Sequence, residues 1–269
     1  MRRSDEVLGT APTSLRRVGL IGHGAIGRVL ADEIERDGNG LELSGVLASR
    51  APRSRACGSV DDLIQESDII VEAAGQGAVL EHAERVIHSG TDLLVLSVGA
   101  LADSDLLDLL LVAGSGRLLI STGALGGVDI LRAASLSGGL SGVKLITTKP
   151  ADALLEDWMP PEVHAALSVG EPATVFQGSA RDVVERFPES TNVAATVGLA
   201  TVGLDSVEVR LIADPNVELV SHRLSAWGSI GTYAIEITNQ PSTNPRTSAV
   251  TPYAALRGLL DDQGTYVIR

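Results

Sequence analysis

Val18-Gly19-Leu20-Ile21-Gly22-His23-Gly24-Ala25-Ile26-Gly27 is the stretch that decides the fold. A short apolar run enters a Gly-x-Gly-x-x-Gly loop, and Ile26, Val29, Leu30 and Ile34 then recur at helical spacing. In a strand-turn-helix setting each glycine has a mechanical reason. The first permits the tight turn, the second lets backbone approach a pyrophosphate, and the third allows close packing of helix on strand. The unpaired N–H groups at the helix start then face the phosphates. The loop predicts a nicotinamide dinucleotide, with Gly22, Gly24, Ala25, Ile26 and Gly27 as its contacts.

Working outward, Gly38 and Gly40 stop the helix and Leu41 to Ala48 forms a second strand, which completes one βαβ unit. The alternation continues with a helix at Val60 to Gln65, a strand at Asp68 to Glu72 and a helix at Gln76 to His88. A strand at Asp92 to Ser97, a helix at Leu101 to Val112 and a strand at Arg117 to Ser121 follow. Such a pattern predicts an α/β fold whose N-terminal domain is a Rossmann, doubly wound parallel sheet.

Past Gly123 the texture changes. Ser121 to Gly127 reads as a glycine-rich hinge, followed by a helix at Asp129 to Ser135. Strands are expected at Val143 to Thr148, Val175 to Gln177, Val207 to Ala213, His222 to Trp227 and Tyr233 to Thr238. With helices at Ala180 to Arg186 and Asn192 to Thr201, they form a second, α+β domain with a mostly antiparallel or mixed sheet. The helical segment from Ser248 onward is expected to return to the first domain. The expected division is 15–124 plus 248–269 for the dinucleotide, and 125–247 for substrate and dimerisation.

Composition narrows the function. With 21 Lys and Arg against 34 Asp and Glu the formal charge is -13, which gives no electrostatic reason to approach nucleic acid. Aromatic residues make up 3%, so base-stacking platforms are not expected and the core is built from Ala, Val, Leu and Ile. No apolar run is long enough to span a bilayer, and Met1 to Ser14 reads as an extension rather than a signal peptide. Cys57, the single cysteine, fits a reducing compartment, and the cytoplasm is the expected location.

Cofactor choice is read at the end of the second strand, where an acidic residue would bind the ribose 2′-hydroxyl of NAD. Ser49 and Arg50 stand there instead, with Arg53 and Arg55 close behind. A guanidinium pairs with a 2′-phosphate, so NADP is expected to be accepted alongside NAD and to be favoured by these residues. Lys149, at the end of its strand, is a candidate for gripping a substrate carboxylate, while Thr147, Thr148 and the backbone of Ser97 to Ala100 are candidate contacts near the nicotinamide. His23, His82, His88 and His164 read as solvated or packing residues, His164 in a Pro-rich link after Pro160-Pro161. None has zinc-ligand spacing, and no metal is expected.

Several ordered segments also resemble the L-aspartate dehydrogenase family, from Val18 to Arg257. Besides the glycine loop these include Val71-Glu72-Ala73-Ala74, Leu96 to Asp103, Ser121 to Asp129 and Thr147-Thr148-Lys149-Pro150. Phe176 to Arg181, Phe187-Pro188 with Asn192 to Ala195, Ala213-Asp214-Pro215, Asn239-Gln240-Pro241 and Asn244 to Ser248 complete the set. The resemblance implies NAD(P)-dependent oxidation of L-aspartate to iminoaspartate, which hydrolyses to oxaloacetate and ammonia or feeds pyridine-nucleotide synthesis, and the reverse reductive amination. It implies His222 as the active-site histidine, Ala124 and Asn192 as further cofactor contacts, and a homodimer. The chain departs from the family pattern at Thr148, where Arg is usual, and at Ser190 or Thr191, where Asn is usual. Homoserine dehydrogenase, dihydrodipicolinate reductase and a non-catalytic NAD(P)-binding sensor are the alternatives.

Overall fold

A computed structural model describes residues 15–38, 40–188, 191–244 and 246–263. The extension Met1 to Ser14, Ser190, Pro245 and residues 264–269 of the C-terminal segment lie outside the described residues. The chain forms two compact units, Met1–Ser121 with Pro252–Arg269, and Thr122–Thr251.

The first unit carries strands β1 (Arg16–Ile21), β2 (Leu41–Leu47), β3 (Ile69–Glu72), β4 (Asp92–Val95) and β5 (Leu118–Ile120). They pair in the order β2-β1-β3-β4-β5, every pair parallel. The order reverses direction between β1 and β3, and in doubly wound sheets the crevice at such a point takes the ligand. Helices α1 (Ala25–Asp37), α2 (Val60–Glu66), α3 (Gln76–His88) and α4 (Ser104–Val112) connect the strands.

All four residues of β3 are buried, as expected of a strand covered on both faces. On one face Val18, Leu20, Leu41 and Leu43 pack with Leu30 and Ile34 of α1 and with Ala255 and Leu259 of α9 (Thr251–Asp261). Full burial of each valine, leucine or isoleucine among them contributes roughly 1.5–3 kcal/mol. On the other face Leu63 of α2 lies where a side chain at Gly19 would intrude.

Beyond α9, Asp262 joins an ion network with Arg16, Asp92 and Arg117. Arg117 Nη2 lies 2.6 Å from both Asp92 and Asp262, and Arg16 Nη2 lies 2.8 Å from Asp92. Hydrogen bonding to Arg117 holds the Asp262 carboxyl below the usual carboxylate range.

The expected helix at Leu101 to Val112 is two elements. Val98–Ala102 forms a buried 3-10 turn, and α4 begins afresh at Ser104. Asp103 divides them, its carboxylate accepting from the backbone N–H of Asp105 at 3.0 Å and Leu106 at 3.1 Å.

The second unit contains α5 (Val128–Leu136), β6 (Leu140–Pro150), α6 (Pro161–Ser168), β7 (Ala173–Ser179), α7 (Ala180–Arg186) and α8 (Asn192–Ala200). Strands β8 (Val207–Asp214), β9 (Val220–Gly228) and β10 (Gly231–Asn239) follow. The sheet order is β10-β9-β6-β8-β7, mixed because β6 and β8 run parallel while the other pairs are antiparallel. The connection between β6 and β8 holds α6, which corrects the expected Pro-rich link around His164. Pro161 occupies the first helical position, where its missing N–H costs nothing and its fixed φ suits the helix.

Period-two alternation fixes which side chains of the sheet point inward. Val143, Leu145, Thr147 and Lys149 of β6 are buried, as are Val220, His222, Leu224 and Ala226 of β9. Register places Val143 opposite Ala226, Leu145 opposite Leu224 and Thr147 opposite His222. The inner face is thus apolar along most of its length and turns polar toward the C-terminal end of β6.

Candidate active site

In the first unit the glycine loop behaves as its spacing predicts. Gly22 has φ +102°, and a Cβ there would sit 2.6 Å from the Ala73 carbonyl oxygen. A Cβ on Gly27 would come within 2.2 Å of the Gly22 carbonyl oxygen, so only glycine lets α1 leave the turn this closely. A Cβ on Gly24 would meet nothing within 4 Å. The outer two glycines are therefore required by the fold, while the middle one leaves an open approach to backbone at the N-cap of α1. The first turn of that helix carries no acidic side chain to compete for an anion. These features fit a dinucleotide pyrophosphate.

Ser49 and Arg50 are exposed at the end of β2, as is Arg53. Arg55 is engaged by the protein itself, donating to the Leu43 carbonyl at 2.9 Å and pairing with Glu35 at 3.2 Å. Arg50 and Arg53 are thus the exposed arginines of this cluster.

Glu72, a residue whose part the sequence did not disclose, ends β3 with 1% of its surface exposed. Its Oε1 accepts from the backbone N–H groups of Ala74 and Gly75, both at 2.8 Å, and from the Ser97 hydroxyl at 2.9 Å. Its Oε2 accepts from the Ser97 N–H at 3.0 Å. One carboxylate therefore ties together the chain leaving β3 and the chain leaving β4, at the carboxyl edge of the sheet. An acidic residue closing a wholly apolar strand is the signal that would have found it.

In the second unit the polar end of the inner face gathers His222, Thr147 and Lys149, which are 3%, 5% and 3% exposed. The Thr147 hydroxyl lies 3.0 Å from Nδ1 of His222. Thr147 therefore faces the histidine. Burial, together with the charge of Lys149, pushes the histidine pKa down to about 4, so the ring is neutral at physiological pH.

Lys149 donates from Nζ to the Arg246 carbonyl at 3.2 Å. Arg246 sits in the turn after β10, where Ser242 N–H donates to the Thr247 carbonyl at 2.7 Å and Ala249 N–H to Gln240 at 2.9 Å. Its guanidinium lies 3.2 Å from Glu156. Burial first, then the Arg246 charge, push the Lys149 pKa down to about 8. A buried ammonium beside a guanidinium and an imidazole is an electrostatic setting that favours an incoming carboxylate.

Ala124 and Asn192 also belong to this unit. Ala124 is buried, with its carbonyl accepting from the Asn239 side chain at 3.3 Å, and Asn192 opens α8. Structure thus brings His222 and Lys149 onto one face of one sheet, while Ser49, Arg50 and the glycine loop stand in the other unit.

Residues 129–261 match the family described as aspartate dehydrogenase, C-terminal, and residues 22–115 match that described as homoserine dehydrogenase, NAD binding domain. The L-aspartate dehydrogenase of Archaeoglobus fulgidus is 37% identical over 242 residues, covering 89% of this chain and 94% of its own. That of Pseudomonas aeruginosa is 35% identical over 256 residues, covering 89% and 95%. The crystal structure of aspartate dehydrogenase from Thermotoga maritima shares the fold, with TM-score 0.73 and 23% identity over 94% of this chain and 99% of that one. The homoserine dehydrogenase description concerns the dinucleotide domain alone, and full-length similarity at this level decides the matter: the chain belongs to the L-aspartate dehydrogenase family.

Proposed function

We propose that this chain oxidises L-aspartate to iminoaspartate with NAD(P), and runs the reverse reductive amination, using His222 as the proton-transferring group and Lys149 as a carboxylate anchor. The observation that carries the reading is the buried pair itself: a neutral imidazole and an ammonium on adjacent strands of one sheet face, in a chain of this family.

A nicotinamide cofactor supplies the acceptor for the hydride that leaves the substrate α-carbon. Gly22, Gly24, Ala25, Ile26 and Gly27 are the residues that would hold its pyrophosphate, with Ala124 and Asn192 as further contacts. Exposed Arg50 beside Ser49 favours a 2′-phosphate, so NADP is read as accepted and preferred. Lys149 holds a carboxylate by charge, in a site where burial strengthens the attraction. His222, neutral before the reaction, takes the proton released as the amine becomes an imine; once that proton has passed to solvent, the neutral ring can take a proton from the water that attacks the imine and releases ammonia. In reductive amination the protonated ring returns that proton. Lys149, the dicarboxylate and the imidazolium then form a set of alternating charge. Association of two copies as a homodimer belongs to the same reading.

The test is to follow NADH and NADPH absorbance with L-aspartate in one direction and oxaloacetate plus ammonia in the other. Turnover is expected both ways, faster with the phosphorylated cofactor at limiting concentration. No turnover in either direction would overturn the assignment. His222→Ala should retain cofactor affinity and lose at least about a hundredfold in kcat, the scale of acid-base catalysis.

A further inference from the structure

We propose that Thr147 is a positioning residue for this reaction: its hydroxyl accepts the Nδ1 proton of His222 and so leaves Nε2 of the neutral ring free as the base. The inference rests on the reading of His222 as the proton-transferring group and adds which ring nitrogen acts and what selects it.

The two side chains meet because β6 and β9 place Thr147 and His222 directly opposite one another on the inner face. Cross-strand partners in an antiparallel pair hold their Cβ atoms close enough for side-chain hydrogen bonding. Thr147 is β-branched and buried, so few rotamers are open to it, and its oxygen is held 3.0 Å from Nδ1. A neutral imidazole carries its proton on one nitrogen only, and the hydrogen bond made by that nitrogen decides which.

A hydroxyl can either donate to Nδ1 or accept from it. If it donated, Nε2 would carry the ring proton and have no lone pair with which to take another. The contact would also turn repulsive once both nitrogens were protonated, until the hydroxyl rotated away. If it accepts, the same hydrogen bond serves the neutral ring and the imidazolium, and nothing rearranges during proton transfer. Lys149, two residues along the same strand face, offers donors and no acceptor, so it cannot replace Thr147 in this part. The arrangement does the orienting work for which many catalytic histidines use a carboxylate. With a neutral oxygen it adds no negative charge beside the ammonium that is to receive the substrate carboxylate.

The experiment combines long-range ¹H–¹⁵N spectra of ¹⁵N-histidine-labelled protein with kinetics of Thr147→Val and Thr147→Ser. Wild-type His222, identified by its loss in His222→Ala, is expected as the Nδ1–H tautomer. Thr147→Val keeps the shape and removes the oxygen. It should give a mixture of tautomers and a kcat lowered about 10- to 100-fold, the usual scale for losing an orienting hydrogen bond, with NADPH affinity unchanged. Thr147→Ser should restore both the tautomer and most of the rate. An Nε2–H tautomer in the wild type would overturn the proposal, a reading that needs no variant to fold. So would a Thr147→Val enzyme within twofold of wild-type kcat, or a Thr147→Ser enzyme as slow as the valine variant. Absence of aspartate turnover in the wild type would instead remove the functional reading, leaving the tautomer measurement to stand by itself.

Discussion

Glu72 in the first unit and Lys149 in the second are both charged side chains buried near the C-terminal end of a strand, with 1% and 3% of their surface exposed. Their surroundings are opposite. Glu72 receives four hydrogen bonds at 2.8–3.0 Å, three of them from backbone N–H groups. Lys149 donates to a carbonyl at 3.2 Å, and burial first, then the Arg246 charge, lower its pKa to about 8. Burying a charge costs free energy unless donors or acceptors replace the lost water. The protein replaces that water for Glu72, which thereby becomes a clamp on two loops. Burial disfavours the charged form of Lys149, and an incoming carboxylate would favour it.

The largest effect that tests this contrast is kinetic. Lys149→Met should lower kcat/KM for aspartate at least about thirtyfold, since truncating one partner of a buried charge pair costs ~2–5 kcal/mol. Cofactor affinity should be retained, and a variant with unchanged kcat/KM would mean that the ammonium grips no carboxylate.

Stability should then move in opposite directions at the two sites. Glu72→Gln turns an acceptor into a donor, so its amide opposes the Ser97 N–H, at a cost of ~1–3 kcal/mol. At ~2–4 °C per kcal/mol for a domain of this size, calorimetry should show Tm several degrees lower. Lys149→Met removes a charge held against burial and should raise Tm by a few degrees. A fall would show that the ammonium is better compensated than its lowered pKa implies.

The smallest effect is in the pH dependence of stability. Lys149 titrates near pH 8 when folded and near 10.5 when unfolded, so between those values the unfolded chain binds more protons and stability from this group rises with pH. His222, lowered from 6.5 to about 4, acts in the same sense, its contribution growing from pH 4 to 6.5 and being lost as the solution is acidified. Denaturant titrations of wild type and Lys149→Met across pH 8 to 10 should differ in slope, the variant being flatter. Parallel slopes would place the lysine pKa elsewhere.

The two units also differ in how far their sequence discloses them. In the first, α1 and α3 occupy the segments expected of them, because apolar periodicity and glycine stops act within a few residues. At Leu101 to Val112 the break is masked because Leu101 and Ala102 before Asp103 are as apolar as the leucines after Asp105, so the cap reads as a polar position inside one helix. In the second unit α6 escaped because a double proline reads as a break, although Pro161 at the first helical position favours a start. The parallel pairing of β6 with β8 was not legible, since nothing local distinguishes it from an antiparallel neighbour.

The same boundary runs through the candidate site. By itself the sequence determined the dinucleotide loop, because the glycine spacing and the apolar period of the helix after it are local signals, although the neighbour that demands glycine at position 22 is Ala73 on another strand's exit. It also singled out Lys149 and, through resemblance, His222. Only tertiary structure decided what those two residues meet. Thr147 and His222 are 75 residues apart, and Lys149 and Arg246 are 97 apart. Sheet register, set by the burial of a whole face at once, brings them together, and burial in turn sets their charge states.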